Sequence, residues 1–134
     1  MRSFNLQIVT PDGSKFDGAA EKLILRTING DICILARHVN FVSALGMGEC
    51  KVTLEGGETK LGVCIGGMIA VTDGTVRVVA SAFEWNDEID VERAKISKEK
   101  AEKALSMSLN AQEQAAMEAK LKRALLRIKA NGSR

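Results

Sequence analysis

The sequence predicts a mainly β plus α fold: an N-terminal antiparallel β-sandwich followed by a C-terminal two-helix antiparallel hairpin. Three observations carry this expectation. Eleven of the twelve glycines lie between Gly13 and Gly74, just after the sole proline, Pro11. The same stretch holds short, β-branched-rich apolar runs separated by turn dipeptides, the mark of strands at close intervals. Near Trp85–Asp90 the composition turns rich in alanine, lysine and glutamate, with apolar residues at helical spacing. That change places a boundary between a sheet domain, residues 1–85, and a helical domain, residues 86–134. Charge divides there too: eight basic and nine acidic side chains precede it, eleven basic and eight acidic follow.

The strands follow in order. Phe4, Leu6 and Ile8 alternate with Asn5 and Gln7, which predicts a half-buried strand over residues 3–9. Pro11-Asp12-Gly13 makes a turn. A second run at 23–28 closes on Asn29-Gly30, a hairpin pair. Residues 32–35 follow, then a loop around His38. Further strands are expected at 49–54, 59–65, 68–72 and 76–82. Gly56-Gly57, Gly66-Gly67 and Asp73-Gly74 separate them. No helical period occurs before residue 88.

Asp90 is a good N-cap for a helix over 91–106, and Glu92 in the first turn suits the helix dipole. Val91, Ala94, Ala101, Ala104 and Leu105 share one face. Serine and asparagine in 106–110 break the helix, because their side chains compete for backbone hydrogen bonds. A second helix is predicted from about Ala111 to Lys129, ending before Asn131-Gly132. Its stripe is Met117, Leu121, Ala124, Leu125 and Ile128. A buried leucine contributes roughly 1.5–3 kcal/mol and an alanine far less. Isolated helices near this length are marginal in water. A loosely held hairpin and a static packed one are both compatible with this composition.

A chain of 134 residues makes about one domain, or one with a small appendage, and can bury roughly two-thirds of its extended surface. No apolar run is long enough to span a bilayer, and the N-terminus is not expected to be a secretion signal. Cys33, Cys50 and Cys64 are odd in number and lack CxxC spacing, so reduced, buried cytosolic thiols are expected. The single histidine, His38, argues against a His-rich metal centre, and no metal site is expected. Gly46-Met47-Gly48 precedes a predicted strand rather than a helix, and Gly57-Glu58-Thr59-Lys60 lacks the Walker spacing. No nucleophile, base or paired-carboxylate motif occurs, so no catalytic residue is assigned and no enzyme by itself is expected. A small β-sandwich enzyme would need clustered catalytic groups, and His38 has no matched partner. Low aromatic content and acidic dilution disfavour nucleic acid. One constellation remains. Lys120, Arg123 and Arg127 share a face of the second helix, and Arg93 and Lys100 a face of the first. These are either a solvated basic surface or a polyphosphate site, for which arginine forks are well suited.

Several stretches together resemble the epsilon subunit family of bacterial F-type ATP synthases over essentially the whole chain. They are Pro11-Asp12-Gly13 with Phe16, Gly30-Asp31-Ile32-Cys33-Ile34-Leu35-Ala36-Arg37-His38, Gly66-Gly67-Met68-Ile69-Ala70-Val71, and Ile89-Asp90-Val91-Glu92-Arg93-Ala94. The last is similar to the I/L-D-x-x-R-A opening of the family's C-terminal hairpin. The resemblance implies a non-catalytic rotor subunit on the cytoplasmic face of the bacterial membrane, peripheral and reaching the membrane only through its complex. Its sandwich would dock on the gamma subunit and the c-ring, helping couple proton or sodium flow to ATP synthesis. Its hairpin would be a brake: folded, it permits turnover; extended toward the beta subunits, it blocks ATP hydrolysis.

In some relatives the folded hairpin binds ATP without hydrolysing it. No cofactor is required, and ATP would be a regulatory ligand. The matching positions are Glu84, Ile89 and Asp90, implied near the adenosine, and Arg93, Arg123 and Arg127, implied near the phosphates. Lys100 stands where such relatives have arginine; it keeps the charge and loses the bidentate fork. Asp31 and His38 match positions implied near the c-ring. The family's loop usually reads Gly-Ile-x-Pro-x-His-x-Pro. Cys33, Ala36 and Asn40 replace its glycine and both prolines, so a looser loop is expected, since proline no longer fixes φ. A free-standing ATP-sensing module never assembled into a synthase is the alternative reading.

Overall fold

The structure is a computed structural model that describes residues 2–132. Met1, Ser133 and Arg134, which the expected domain ranges include, lie outside the described residues. The chain divides into two compact units, one ending at Asn86 and the other beginning at Asp87.

The first unit is six strands: β1 (Phe4–Thr10), β2 (Gly13–Thr27), β3 (Gly30–Leu35), β4 (Phe41–Leu54), β5 (Thr59–Thr72) and β6 (Thr75–Trp85). Their order is β1-β6-β5-β4-β2-β3, and β1 also pairs with the first half of β2. The sheet therefore closes on itself around one interior, giving the expected sandwich a barrel-like form. Neighbours are antiparallel except β1 and β6, which run parallel from Asn5↔Thr75 to Val9↔Val79. Alternation sets the interior: Leu6 and Ile8 from β1, Leu23 and Leu25 from β2, Ile69 from β5 and Val78 from β6 are all fully buried. β3 is an edge strand, bonded only to β2.

β2, β4 and β5 run far past their expected bounds, for one reason. Residues 13–22 are poor in large apolar side chains, yet they pair with β1 from Thr10↔Gly13 to Phe4↔Ala20. Residues 41–48, given no strand in the sequence reading, pair with β5 from Phe41↔Val71 to Gly48↔Cys64. Gly66-Gly67, expected to separate two strands, lies inside a continuous β5. Each segment is a strand because a partner satisfies its backbone, which local propensity does not reveal. Two glycines are there for space. A Cβ at Gly48 would stand 2.8 Å from the Arg26 Cβ, and one at Gly67 would overlap the Val79 carbonyl oxygen. Gly67 also has φ 117°, which L side chains rarely adopt.

The unit ends on an aromatic clasp. Trp85 Nε1–H donates to the Lys15 carbonyl at 3.0 Å. Its ring meets Phe16 and Phe83 edge-on, with centroids 6.2 and 4.8 Å away. Lys60 Nζ sits 4.2 Å above the same ring. The cysteines divide. Cys50 and Cys64 are buried, and burial pushes both thiols up, Cys64 to about 11. Cys33 is exposed, against expectation. Edge strand β3 turns Ile34 inward and leaves Cys33 on the outer side.

The second unit follows a short 3-10 turn (Asn86–Glu88) and consists of α1 (Val91–Leu105) packed against α2 (Ala111–Gly132). Asp90 is the N-cap: its carboxylate accepts from the Arg93 N–H at 3.0 Å. α2 opens on a capping box that the sequence reading missed. Asn110 Oδ1 accepts from the Glu113 N–H at 2.8 Å, and Glu113 Oε1 accepts from the Asn110 N–H at 3.4 Å. The helix runs three residues past Lys129, through Asn131-Gly132. The only buried residues within the two helices are alanines: Ala94 and Ala101 on α1, Ala124 and Ala130 on α2. The long aliphatics of the expected stripes are partly exposed, Leu125 to 45%.

Candidate functional site

The residues expected to take ATP fall on both units. Within the second, Ile89 is buried just before α1 and Asp90 caps it. Arg93 and Lys100 are seven residues apart on α1, each one position before a buried alanine, so they flank the alanine row on one side. Both are exposed. Arg123 and Arg127 share a face of α2 at i and i+4, and both are half-buried. These four cationic side chains thus sit on two packed helices, beside a cap whose carboxylate accepts from the Arg93 backbone N–H. Glu84 lies in the first unit, on β6 opposite Val63.

Asp31 and His38 are not brought together. Asp31 is the second residue of β3 and His38 follows its other end. From Asp31 to Leu35 alone is about 13 Å of extended strand. Asp31 is held in a fork by Arg26, Nε to Oδ1 at 2.9 Å and Nη2 to Oδ2 at 3.2 Å. That hydrogen bonding lowers the Asp31 pKa and raises that of Arg26. Both side chains remain about half exposed. His38 Nδ1 lies 2.8 Å from the Val39 carbonyl, and its ring meets Phe41 edge-on at 6.0 Å.

The loop that carries His38 has a constraint of its own in place of the absent prolines. Asn40 Oδ1 accepts from the Asp73 N–H at 3.0 Å, and Asn40 Nδ2 donates to Asp73 Oδ1 at 3.4 Å. This clamp ties the β3–β4 loop to the β5–β6 turn.

A surface that the sequence reading missed crosses the sheet. Met68 pairs with Ala44 on one side and with Val79 on the other, and Val42 pairs with Ala70. Val42, Met68 and Val79 are 66%, 46% and 47% exposed. These outward positions make an apolar band over β4, β5 and β6. Ile28, also exposed, adjoins it: its N–H donates to the Ala44 carbonyl at 3.1 Å. Contiguous exposed apolar surface of this kind marks interaction sites. The available signal was β5 itself, apolar on both faces, with Ile69 and Val71 inward and Met68 and Ala70 outward.

Two family models together match nearly the whole chain. Residues 3–86 match the ATP synthase delta/epsilon chain β-sandwich domain, and residues 87–132 match the long α-helix domain of the same chain. The chain belongs to the ATP synthase delta/epsilon chain family. Among bacterial members of this family, the ATP synthase epsilon chain of Ruminococcus albus is 38% identical over 128 residues, 96% of each chain. The epsilon chain of Caldanaerobacter subterraneus subsp. tengcongensis is 35% identical, over 96% of this chain and 93% of that one. Among solved structures, a chain of the Euglena gracilis mitochondrial ATP synthase OSCP/F1/c-ring assembly is similar with a TM-score of 0.81 and 26% identity. The match covers 92% of this chain and 78% of that one. A chain of the Tetrahymena thermophila mitochondrial ATP synthase central stalk and c-ring shares the fold, with a TM-score of 0.69 at 17% identity over 97% of each chain. Among the described residues no helix is long and apolar enough to cross a membrane.

Proposed function

We propose that this chain is a non-catalytic subunit of the central stalk of an F-type ATP synthase, carried at the cytoplasmic face of the bacterial membrane. In this reading it helps couple proton or sodium flow through the c-ring to ATP synthesis. The observation that carries the docking role is the apolar band of Val42, Met68 and Val79 on an otherwise closed sheet. Burying such side chains against a partner yields about 25 cal/mol per Å2. The gamma subunit is the partner assigned to it. The β3 edge, with Asp31 at one end and His38 beyond the other, is assigned to the c-ring. A ring contact through both residues engages the length of that edge.

The hairpin is assigned as a brake on ATP hydrolysis. Its helices bury alanines only, which supports an arrangement within a few kcal/mol of an extended one. In the extended state its basic residues would face acidic segments of the beta subunits. Folded, it would hold ATP as a regulatory ligand, with Glu84, Ile89 and Asp90 near the adenosine. Arg93, Lys100, Arg123 and Arg127 would lie near the phosphates. ATP at about ten times its Kd would favour the folded form by about 1.4 kcal/mol, enough to bias a balanced switch.

Co-expression with the gamma subunit and the rest of the catalytic sector tests the assembly. Stoichiometric co-purification is expected, and Met68→Glu should abolish it. A chain that binds ATP yet never co-purifies would instead be a free-standing sensor. Truncation after Glu88 should raise ATPase activity in the assembled enzyme; unchanged activity under all nucleotide conditions removes the brake. Calorimetric titration with ATP should give heat for the parent chain and much less for Arg93→Ala and Arg127→Ala.

A further inference from the structure

We propose that a cleft at one end of the sheet unit binds a hydroxylated phosphate ester, with Arg2 and Arg37 taking the phosphate and Asp73 the hydroxyl. The cleft is about 600 Å3 and is lined by Arg2, Ser3, Phe4, Ala36, Arg37, Asp73 and Gly74. That volume lies in the range of small-molecule sites. None of these residues is among those assigned to ATP or to the c-ring.

The charge arrangement selects the ligand class. Two exposed arginines line one cleft, and neither has an ion-pair partner among the described residues. Guanidinium forks match phosphate oxygens in geometry and charge. A third charge, the Asp73 carboxylate, would repel a bare anion. Its Oδ1 already accepts from Asn40, which leaves Oδ2 as an acceptor for a ligand hydroxyl. A ligand carrying both phosphate and hydroxyl satisfies all three groups; a glycerol phosphate is the simplest such compound.

The backbone supports a built site rather than a chance meeting of side chains. Arg37 has φ 65° and Asp73 φ 47°, the two non-glycine residues found in the left-handed region among those described. At Asp73 this is the ordinary conformation of the two-residue Asp73-Gly74 turn between β5 and β6, whereas Arg37 occupies a turn position that favours glycine and is held there by its surroundings. Here the Leu35 carbonyl accepts from the His38 N–H at 3.2 Å across Arg37. The two Asn40–Asp73 hydrogen bonds then lock that loop to the turn carrying Asp73. The backbone at Arg37 and the Asp73 carboxylate are thus held in place before any ligand arrives, which reduces the ordering that binding requires.

The test uses the full chain and amide NMR titration with sn-glycerol 3-phosphate, with inorganic phosphate as comparison. Amides of residues 2–4, 36–40 and 73–74 should shift and saturate at about millimolar ligand. Arg37→Gly removes the guanidinium and suits the positive φ, so it should fold at least as well while weakening binding by about tenfold or more. Asp73→Asn tolerates the left-handed backbone and should reduce the preference for glycerol phosphate over inorganic phosphate. Sedimentation with phosphatidylglycerol and phosphatidylcholine vesicles separates the sources. Retention on the former alone, lost in Arg37→Gly, assigns the ester to a lipid headgroup. Saturable shifts without retention assign it to a soluble compound. Unmoved amides together with no retention overturn the site, and so does Arg37→Gly binding as tightly as the parent. Equal affinity for inorganic phosphate overturns the role of Asp73.

Discussion

The two units of this chain are stabilised by different means. The sheet unit fills its interior with branched and aromatic side chains, Leu6, Ile8, Leu23, Leu25 and Ile69 among them, at essentially no exposure. The hairpin buries four alanines within its helices and leaves its larger aliphatics partly in water. Burial free energy scales with apolar area, so the sheet has a large reserve and the hairpin a small one. Under the proposed brake, the contrast would let one short chain combine a fixed body with a detachable element. Stability is concentrated where the subunit would dock and withheld where it would switch.

The sharpest way to break the comparison is to cut it. A chain ending at Glu88 should unfold cooperatively in urea with most of the parent stability, whereas a peptide of residues 87–134 should show little helix by circular dichroism. A stable isolated hairpin would remove the contrast. Next in size is a cavity in the sheet interior. Ile69→Ala should cost about 2–5 kcal/mol by denaturant unfolding, because fully buried aliphatics lose both transfer energy and contacts. Hairpin changes should be smaller. Asp90→Ala removes the α1 cap and should cost about 1 kcal/mol of helix stability, read by amide exchange in the first turn.

Two further measurements sharpen the picture within the sheet. Alkylation near pH 8 should modify Cys33 promptly, while Cys50 and Cys64 react only when the chain unfolds, since burial keeps their thiols protonated. The smallest effect is at the exposed Arg26–Asp31 fork. Its carboxyl pKa is lowered in the fold, so any stabilisation is present above the ordinary carboxylate range and fades as pH falls through the folded value. Arg26→Ala should return the Asp31 titration, followed by NMR, toward that ordinary range and leave stability at neutral pH nearly unchanged.

Much of this architecture was legible beforehand, and the legible parts share a cause. The Asp90 cap, the 3, 4, 7 spacing of α2 and the Pro11, Asn29-Gly30 and Asp73-Gly74 turns are local devices, written within a few residues. The Phe4–Leu6–Ile8 alternation is local as well. The charged hairpin positions Arg93, Lys100, Arg123 and Arg127 could be assigned to helix faces for the same reason. The Asn110–Glu113 capping box is equally local, an asparagine three residues before a glutamate inside a stretch whose serines also predict a break.

What tertiary structure alone decided is non-local. Residues 13–22 and 41–48 became strands because β1 and β5 lie alongside them. The parallel β1–β6 pair, the exposure of Cys33 on an edge, and the apolar band from Val42 to Val79 depend on which strands are neighbours. The separation of Asp31 from His38 depends on β3 running extended between them, and the cleft joining Arg2 to Arg37 and Asp73 draws on three distant segments. Sequence by itself determined the change of class near residue 86 and the faces of each helix, because those follow from spacing along one stretch of chain. Strand partnership did not follow, because a strand's backbone hydrogen bonds are completed only by another segment, and nothing within the strand names which one.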